Sequence, residues 1–147
     1  MRRAISALLF SALAWSASAQ EPRAWSAAEI GTLMGALPDR PPTNREFLTE
    51  SHYAVKVARV DNRNGPVESH QTQDRIFLVL HGTATLRVGG TAIAPRETAP
   101  GESQAAESRG YREMAMSPGS LLSVPRGVPY QIVAAGSKVE FLVIRVF

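Results

Sequence analysis

Cysteine is missing from this chain, and histidine and lysine are scarce. Among its 147 residues there are no cysteines, 3 histidines and 2 lysines. The absence of cysteine excludes disulfide bonds, thiolate metal sites and cysteine nucleophiles, so any metal would need carboxylate, imidazole or phenol ligands. The chain has 16 Lys and Arg residues against 13 Asp and Glu residues, and the basic residues form no cluster in the predicted mature chain. A nucleic-acid-binding surface usually needs a basic cluster, so we expect no nucleic-acid partner.

The N-terminal apolar run, residues 4–15, is too short to span a bilayer. Arg2 and Arg3 precede it, and the small-residue pattern Ala17-Ser18-Ala19 follows it. Positive, apolar and small-residue regions in this order are typical of a signal peptide that is cleaved, and less so of an uncleaved anchor. We therefore predict a signal peptide over residues 1–19 and a nearly neutral mature chain. That chain would be exported, either periplasmic or secreted, with no stable membrane anchor after cleavage.

Residues 20–50 are predicted to form a short helix and a linker. Ser26 and Glu29 have the spacing of a capping box, and Trp25 and Ile30 have that of a hydrophobic staple. An apolar stripe then continues at helical spacing through residues 30, 33, 34 and 37. This stripe could bind a partner or a membrane, but packing against the rest of the chain is favoured. Pro38 ends the helix, and the segment DRPPTNRE after it has no periodicity.

Residues 51–147 are predicted to form an all-β barrel. Short stretches with strand character are separated by Gly, Pro, Asn and Asp turns, which favours a sandwich or barrel. The candidate strands are residues 53–60, 67–70, 76–80, 83–88, 112–116, 121–124, 131–134 and 138–146. Residues 91–110 are polar and are expected to form a long loop, of the kind that is usually functional or mobile.

Two stretches resemble the motifs of the cupin family. The first, ESHQTQDRIFLVLHGTATLRVGG, covers residues 68–90. Aligned backward from Gly82, it places Glu68 and His70 on the two histidine positions of the first motif and Arg75 on its glutamate. The second stretch, GSLLSVPRGVPY at residues 119–130, matches the pattern G(x)5PxG(x)2H except that Tyr130 replaces the histidine. The resemblance implies a jelly-roll barrel with one short N-terminal helix, commonly dimeric, so that a homodimer is expected as one option.

In the cupin family these four positions usually hold a divalent transition metal. Glu68 and His70 are competent ligands for Mn, Fe, Zn or Ni, and their spacing puts both on one face of a strand. Arg75 has no electron pair to donate, and a guanidinium about 5 Å from a dication would cost roughly 6–7 kcal/mol. Tyr130 is a poor ligand unless it loses its proton. No cofactor is firmly implied, although a metal held by Glu68 and His70 stays open.

The same residues suggest a second kind of site. Arg75 offers donors suited to a carboxylate or phosphate, or it could pair internally with Glu68. Tyr130 adds a hydroxyl and an aromatic face, and His70 a further hydrogen-bonding group. The sequence thus predicts a ligand site made of Glu68, His70, Arg75 and Tyr130, with a small polar or anionic molecule as partner and no catalytic residue assigned. The alternative is a metal-dependent isomerase, oxygenase or lyase that uses Glu68 and His70.

Overall fold

The computed structural model describes residues 21–147, so the predicted signal peptide lies outside the described residues. The described chain contains one helix, α1 (Ala27–Gly35), and thirteen strands. The strands are β1 (Asn44–Thr49), β2 (Tyr53–Asp61), β3 (Val67–His70), β4 (Asp74–Gly82), β5 (Ala84–Val88), β6 (Thr91–Ile93), β7 (Arg96–Ala99), β8 (Glu102–Ala105), β9 (Glu107–Arg109), β10 (Arg112–Met116), β11 (Leu121–Val124), β12 (Tyr130–Val133) and β13 (Lys138–Val146).

Two antiparallel sheets build the domain. The first has the order β1-β2-β13-β4-β11, and the second has the order β10-β5-β12-β3-β8-β7. Strands β6 and β9 form a separate two-stranded sheet. A core cluster contains side chains of both large sheets, for example Phe77 of β4 and Leu86 of β5. This arrangement confirms the predicted all-β jelly-roll with one short helix.

The N-terminal helix begins at the predicted capping box. The amide of Glu29 donates to Ser26 Oγ at 3.2 Å, and the amide of Ser26 donates to Glu29 Oε2 at 2.7 Å. Met34 and Leu37 of the apolar stripe are buried and pack against Val57 of β2. The helix therefore covers the outer face of the first sheet, which confirms that the stripe packs internally. No helix within residues 21–147 is long and apolar enough to cross a membrane.

The segment expected to be a linker contains strand β1. This strand pairs with β2 in antiparallel register and carries a bulge between Glu46 and Leu48. It lies at a sheet edge and is largely exposed, so its sequence shows no clean apolar alternation. The barrel sheet consequently starts before residue 51.

All eight predicted strands are present, but the prediction of a long loop over residues 91–110 is wrong. That segment contains the four strands β6 to β9, each of three or four residues. They are mostly exposed and polar, and their hydrogen bonds to other strands hold them in place. Because exposed strands carry little apolar periodicity, the sequence pattern does not reveal them.

Candidate functional site

The four predicted site residues lie together inside the barrel. Glu68 and His70 lie on β3, Arg75 lies near the start of β4, and Tyr130 opens β12. Tyr130 and Glu68 are directly opposite in the antiparallel pair of β12 and β3. His70, Arg75 and Tyr130 are buried, with 7%, 5% and 5% of their surface exposed. The expected common face of Glu68 and His70 is borne out by their shared contact with Tyr130.

A chain of hydrogen bonds links these residues. Tyr130 Oη donates to Glu68 Oε2 at 2.6 Å and lies 3.2 Å from His70 Nε2. Arg75 Nη2 lies 3.2 Å from His70 Nδ1 and 3.1 Å from His70 Nε2. Since the Tyr130 hydroxyl gives its proton to Glu68, its oxygen is free to accept a hydrogen bond from His70 Nε2. Arg75 contacts His70 and not Glu68, so the internal Glu68–Arg75 ion pair considered from the sequence does not form.

These contacts determine the charge states of the Glu68 carboxyl group and the Tyr130 hydroxyl group. Burial alone would raise the pKa of Glu68, but hydrogen bonds from His70 and Tyr130, and the charge of Arg75, lower it to about 2. Burial raises the pKa of Tyr130 well above its ordinary value, and the charge of Glu68 raises it further. At neutral pH Glu68 is therefore a carboxylate and Tyr130 a protonated phenol.

Glu68, Arg75 and Tyr130 form one end of a cavity of about 290 Å³. Its apolar lining comes from both sheets and consists of Ala58, Val60, Phe77, Ile132, Phe141 and Val143. The charged residues that line it are Lys56, Arg59, Arg63, Arg75 and Glu68. Four cations and one carboxylate thus face a largely apolar space.

Lys56 is one of three charged cavity residues, with Arg59 and Arg63, that sequence reasoning missed. It lies on β2 between Val55 and Val57. These two valines project to the opposite face of the strand from Lys56, and their alternation suggests that their face is the buried one. That other face is the one covered by α1, which leaves Lys56 on the barrel side. Burial lowers the pKa of Lys56, and the charge of Arg75 lowers it further. Because α1 covers one face of β2 and the barrel interior lies at the other, a lysine in this strand has to lie on a covered face. That both faces of β2 are covered could have been the sequence signal for Lys56.

Glu102 on β8 is a second residue that the sequence did not indicate. It pairs with His70 in the β3–β8 register, and its Oε1 lies 3.4 Å from His70 Nδ1. The same oxygen accepts from Gln73 Nε2 at 2.9 Å. Glu102 was not identified because it falls in the segment predicted to be a loop.

Three further polar residues lie away from the cavity. Asp74 is next to Arg75 in sequence, but its Oδ1 accepts from the amide of Arg126 at 2.8 Å on the exposed side. His81 is exposed and lies in β4 beside Glu140. His52 lies in the bend before β2, where its carbonyl oxygen accepts from the amide of Phe147.

The donor set does not fit a divalent metal as the residues are arranged. Arg75 Nη2 lies within hydrogen-bond distance of both ring nitrogens of His70, Tyr130 keeps its proton, and Arg75 has no electron pair to offer. A dication at this position would also face the buried guanidinium. Among residues 21–147, no group of three or more His, Asp or Glu side chains has the geometry to hold a metal ion.

Comparisons with known proteins identify the fold. No protein-family model and no curated protein matches the sequence. Among solved structures, the chain is similar to the DMSP lyase DddQ from Ruegeria pomeroyi DSS-3, with a TM-score of 0.53 and 15% identity. That match covers 71% of this chain and 46% of the lyase, so the chain spans less than half of the lyase's length.

Two further matches cover most of both chains. KdgF from Halomonas sp. matches with a TM-score of 0.54 and 14% identity, over 74% of this chain and 83% of that one. A cupin-2 domain containing protein from Shewanella frigidimarina NCIMB 400 matches with a TM-score of 0.51 and 16% identity, over 74% of this chain and 84% of that one. At these identities the likeness establishes the fold and does not extend to activity.

Proposed function

The chain has the cupin fold, and we propose that it binds a small organic anion, a carboxylate, in the cavity beside Arg75 without a metal ion. The proposed role is binding of the carboxylate without catalysis. It refines the sequence-based expectation of a small polar or anionic ligand.

The charge of the cavity supports an anion. Two of its four lining cations donate to oxygen atoms of the protein: Arg59 to the carbonyl of Pro38 at 2.9 Å, and Arg63 to Thr43 Oγ1 at 2.8 Å. Arg75 hydrogen-bonds only to the ring of His70, and Lys56 has no hydrogen-bond or ion-pair partner among the described residues. These two cations are therefore the ones available for a ligand's negative charge.

The observation that carries the proposal is an unpaired donor on a buried guanidinium. Arg75 is 5% exposed and lines the cavity, and its Nε has no hydrogen-bond partner within the described chain. A buried donor without an acceptor costs about 1–3 kcal/mol, more when it is charged. A carboxylate in the cavity would supply the missing acceptor and match the planar fork of the guanidinium.

The cavity limits the size of the ligand. Its volume of about 290 Å³ lies at the lower end of the range for ligand pockets. This space would hold about ten water molecules at roughly 30 Å³ each. A molecule of a few carbon atoms with an apolar portion against Phe77 and Phe141 fits these limits.

Isothermal titration calorimetry tests the proposal. The full-length mature chain would be titrated with lactate, succinate, inorganic phosphate and the neutral polyol glycerol. We expect saturable binding of a carboxylate that is lost in Arg75→Gln and retained in Arg96→Gln, which removes an exposed arginine on β7. No saturable binding by either carboxylate, or equal binding by the Arg75 variant, would contradict the proposal.

Metal-dependent catalysis is the competing interpretation, since solved structures with this fold include a lyase. Metal analysis of protein purified without chelators separates the two. A stoichiometric metal that is lost in His70→Ala would support the metal-dependent alternative, and no bound metal at any loading would exclude it.

Export is part of the same proposal and rests on the sequence of residues 1–19. Expression with these residues in a bacterial host should yield exported protein whose first residue is Gln20. An unprocessed N-terminus in the cytoplasm would contradict export while leaving the ligand proposal unaffected.

A further inference from the structure

We infer that Lys56 forms a reversible Schiff base with the carbonyl group of a 2-oxo acid whose carboxylate is held by Arg75. This inference rests on the proposed function, because it uses the same anion site.

The sheet register places Lys56 and Arg75 on one face. Lys56 of β2 lies opposite Val143 of β13, and Val143 lies opposite Phe77 of β4. Residues that are directly opposite in neighbouring strands project to the same side, so Lys56 shares the inner face with Phe77. Arg75 precedes Phe77 by two residues and lies on that face as well, and both cations line the cavity. An amine and a guanidinium from the same sheet face therefore both line the cavity.

The distance between the two strands suits a small two-headed ligand. Strands β2 and β4 are separated only by β13, which places them about 10 Å apart. The side chains of Lys56 and Arg75 are both long enough to lean over Val143 toward a common ligand. A 2-oxo acid carries its carboxylate and its carbonyl on adjacent carbon atoms. It can thus meet a guanidinium with one group and an amine with the other.

The surroundings of Lys56 favour a nucleophilic amine. Lys56 has no hydrogen-bond or ion-pair partner in the part of the chain that the structure describes, and its cavity neighbours include Phe77 and Val143. The charged side chains that act on it are Arg75 and Arg145, which disfavour the ammonium form, and Glu68 and Glu46, which favour it. Burial and the charge of Arg75 prevail, so that the pKa of Lys56 is lowered. A desolvated lysine beside another cation is the arrangement in which the free amine attacks carbonyl groups at neutral pH.

The step balances without any oxidant or reductant. The electron pair of neutral Lys56 Nζ attacks the carbonyl carbon, and the carbonyl oxygen becomes the hydroxyl of a carbinolamine. The hydroxyl leaves as water together with the second amine hydrogen, and a C=N bond remains. Addition of water reverses the reaction and releases the 2-oxo acid.

Lysine usage provides an internal control. The chain has only two lysines. The other one, Lys138, is half exposed and forms an ion pair with Glu140 at 2.8 Å. A reagent that labels lysines without selection would label Lys138 at least as readily as Lys56.

The test is reductive trapping with pyruvate. The mature chain would be incubated with pyruvate and cyanoborohydride, and the adduct located by intact mass and peptide mapping. Parallel samples would contain acetone, which lacks the carboxylate, or an excess of lactate, which lacks the carbonyl. The variants are Lys56→Arg, which keeps the charge, and Lys138→Arg as the matched control, with folding of each checked by thermal unfolding. Binding of lactate would be measured separately by calorimetry.

We expect one pyruvate adduct at Lys56, absent from Lys56→Arg, retained in Lys138→Arg and suppressed by lactate. Trapping at Lys56 by acetone as efficient as by pyruvate would overturn the 2-oxo acid assignment. If lactate binds but pyruvate labels Lys56 no more than Lys138, the Schiff base is refuted and the anion site stands. If neither lactate nor pyruvate binds, the anion site fails and the Schiff base with it.

Discussion

The hydroxyl of Tyr130 donates to Glu68 Oε2 at 2.6 Å, across the pair formed by β12 and β3. The two residues are 62 positions apart in the chain and come from the two different motif stretches. Because Tyr130 is protonated and Glu68 is ionised, the phenol donates to the carboxylate and is not itself available as a metal ligand. Their hydrogen bond also ties together two strands of the sheet that carries the site.

Removal of this hydroxyl should destabilise the fold. In Tyr130→Phe the carboxylate of Glu68 loses its shortest hydrogen bond while it stays largely inside the barrel. We expect a loss of about 1–3 kcal/mol in the free energy of unfolding, measured by urea denaturation at pH 7. Tyr53→Phe, at an exposed tyrosine of β2, is the matched control and should change stability by less than about 0.5 kcal/mol. Equal effects of the two substitutions would show that the Tyr130 hydroxyl contributes nothing specific.

Glu68 should make stability depend on pH in the acid range. Its pKa in the folded protein is about 2, below the ordinary value of 4.5, so the unfolded chain takes up the proton first as pH falls. The stabilisation by ionised Glu68 is therefore complete above about pH 4.5 and disappears as pH falls through about 2. Because Glu68 is partly exposed, we expect Glu68→Gln to be about 1–2 kcal/mol less stable than the parent at pH 7.

Denaturation at a series of pH values measures this difference. The difference in the free energy of unfolding between the parent and Glu68→Gln should decrease to zero as pH falls from 4.5 to about 2. Glu107→Gln removes one negative charge from the exposed strand β9 and controls for net charge. A gap that stays constant over this range would mean that the ionisation of Glu68 does not contribute.

Lys56 and Arg75, two of the four cations that line the cavity, should be electrostatically coupled. Arg75→Gln removes the positive charge that is the second cause of the lowered Lys56 pKa, after burial. We expect the pKa of Lys56 to rise in this variant but to stay below its ordinary value of 10.5, because burial persists. NMR titration of ¹³C-dimethylated lysines measures it, and with two lysines the spectrum contains few signals. An unchanged Lys56 pKa in Arg75→Gln would show that the side chains do not interact.

Gly82, on which the first motif stretch was aligned, should be irreplaceable. It has a positive φ of 72°, and a Cβ atom there would lie 1.9 Å from the carbonyl oxygen of Lys138. Gly136 has a similar φ of 76°, but a Cβ there would meet nothing within 4 Å. Gly136→Ala should thus cost only the backbone strain of about 1–2 kcal/mol, whereas Gly82→Ala should cost about 3 kcal/mol or more. Urea denaturation measures the free energy of unfolding of both variants. Equal destabilisation by the two substitutions would contradict the steric argument.

Much of the fold is encoded locally. The capping box at Ser26, the eight predicted strands and the turn glycines depend on residues near in sequence, so their patterns are readable without a structure. The four residues that the sequence predicts for the site occupy motif positions next to such turns, and the structure brings them together. Their common face follows from strand periodicity alone.

Tertiary structure decided the chemistry of the site. Glu102 approaches His70 only because β8 pairs with β3, and Lys56 faces the cavity only because α1 covers the opposite face of β2. The contact of Arg75 with His70 instead of Glu68 likewise depends on how side chains from separate strands pack. Local patterns indicate the strands that have a buried apolar face and the turns between them, but they miss the exposed strands β1 and β6 to β9. The partner of a polar side chain is determined by strands distant in sequence, whose register no local pattern records.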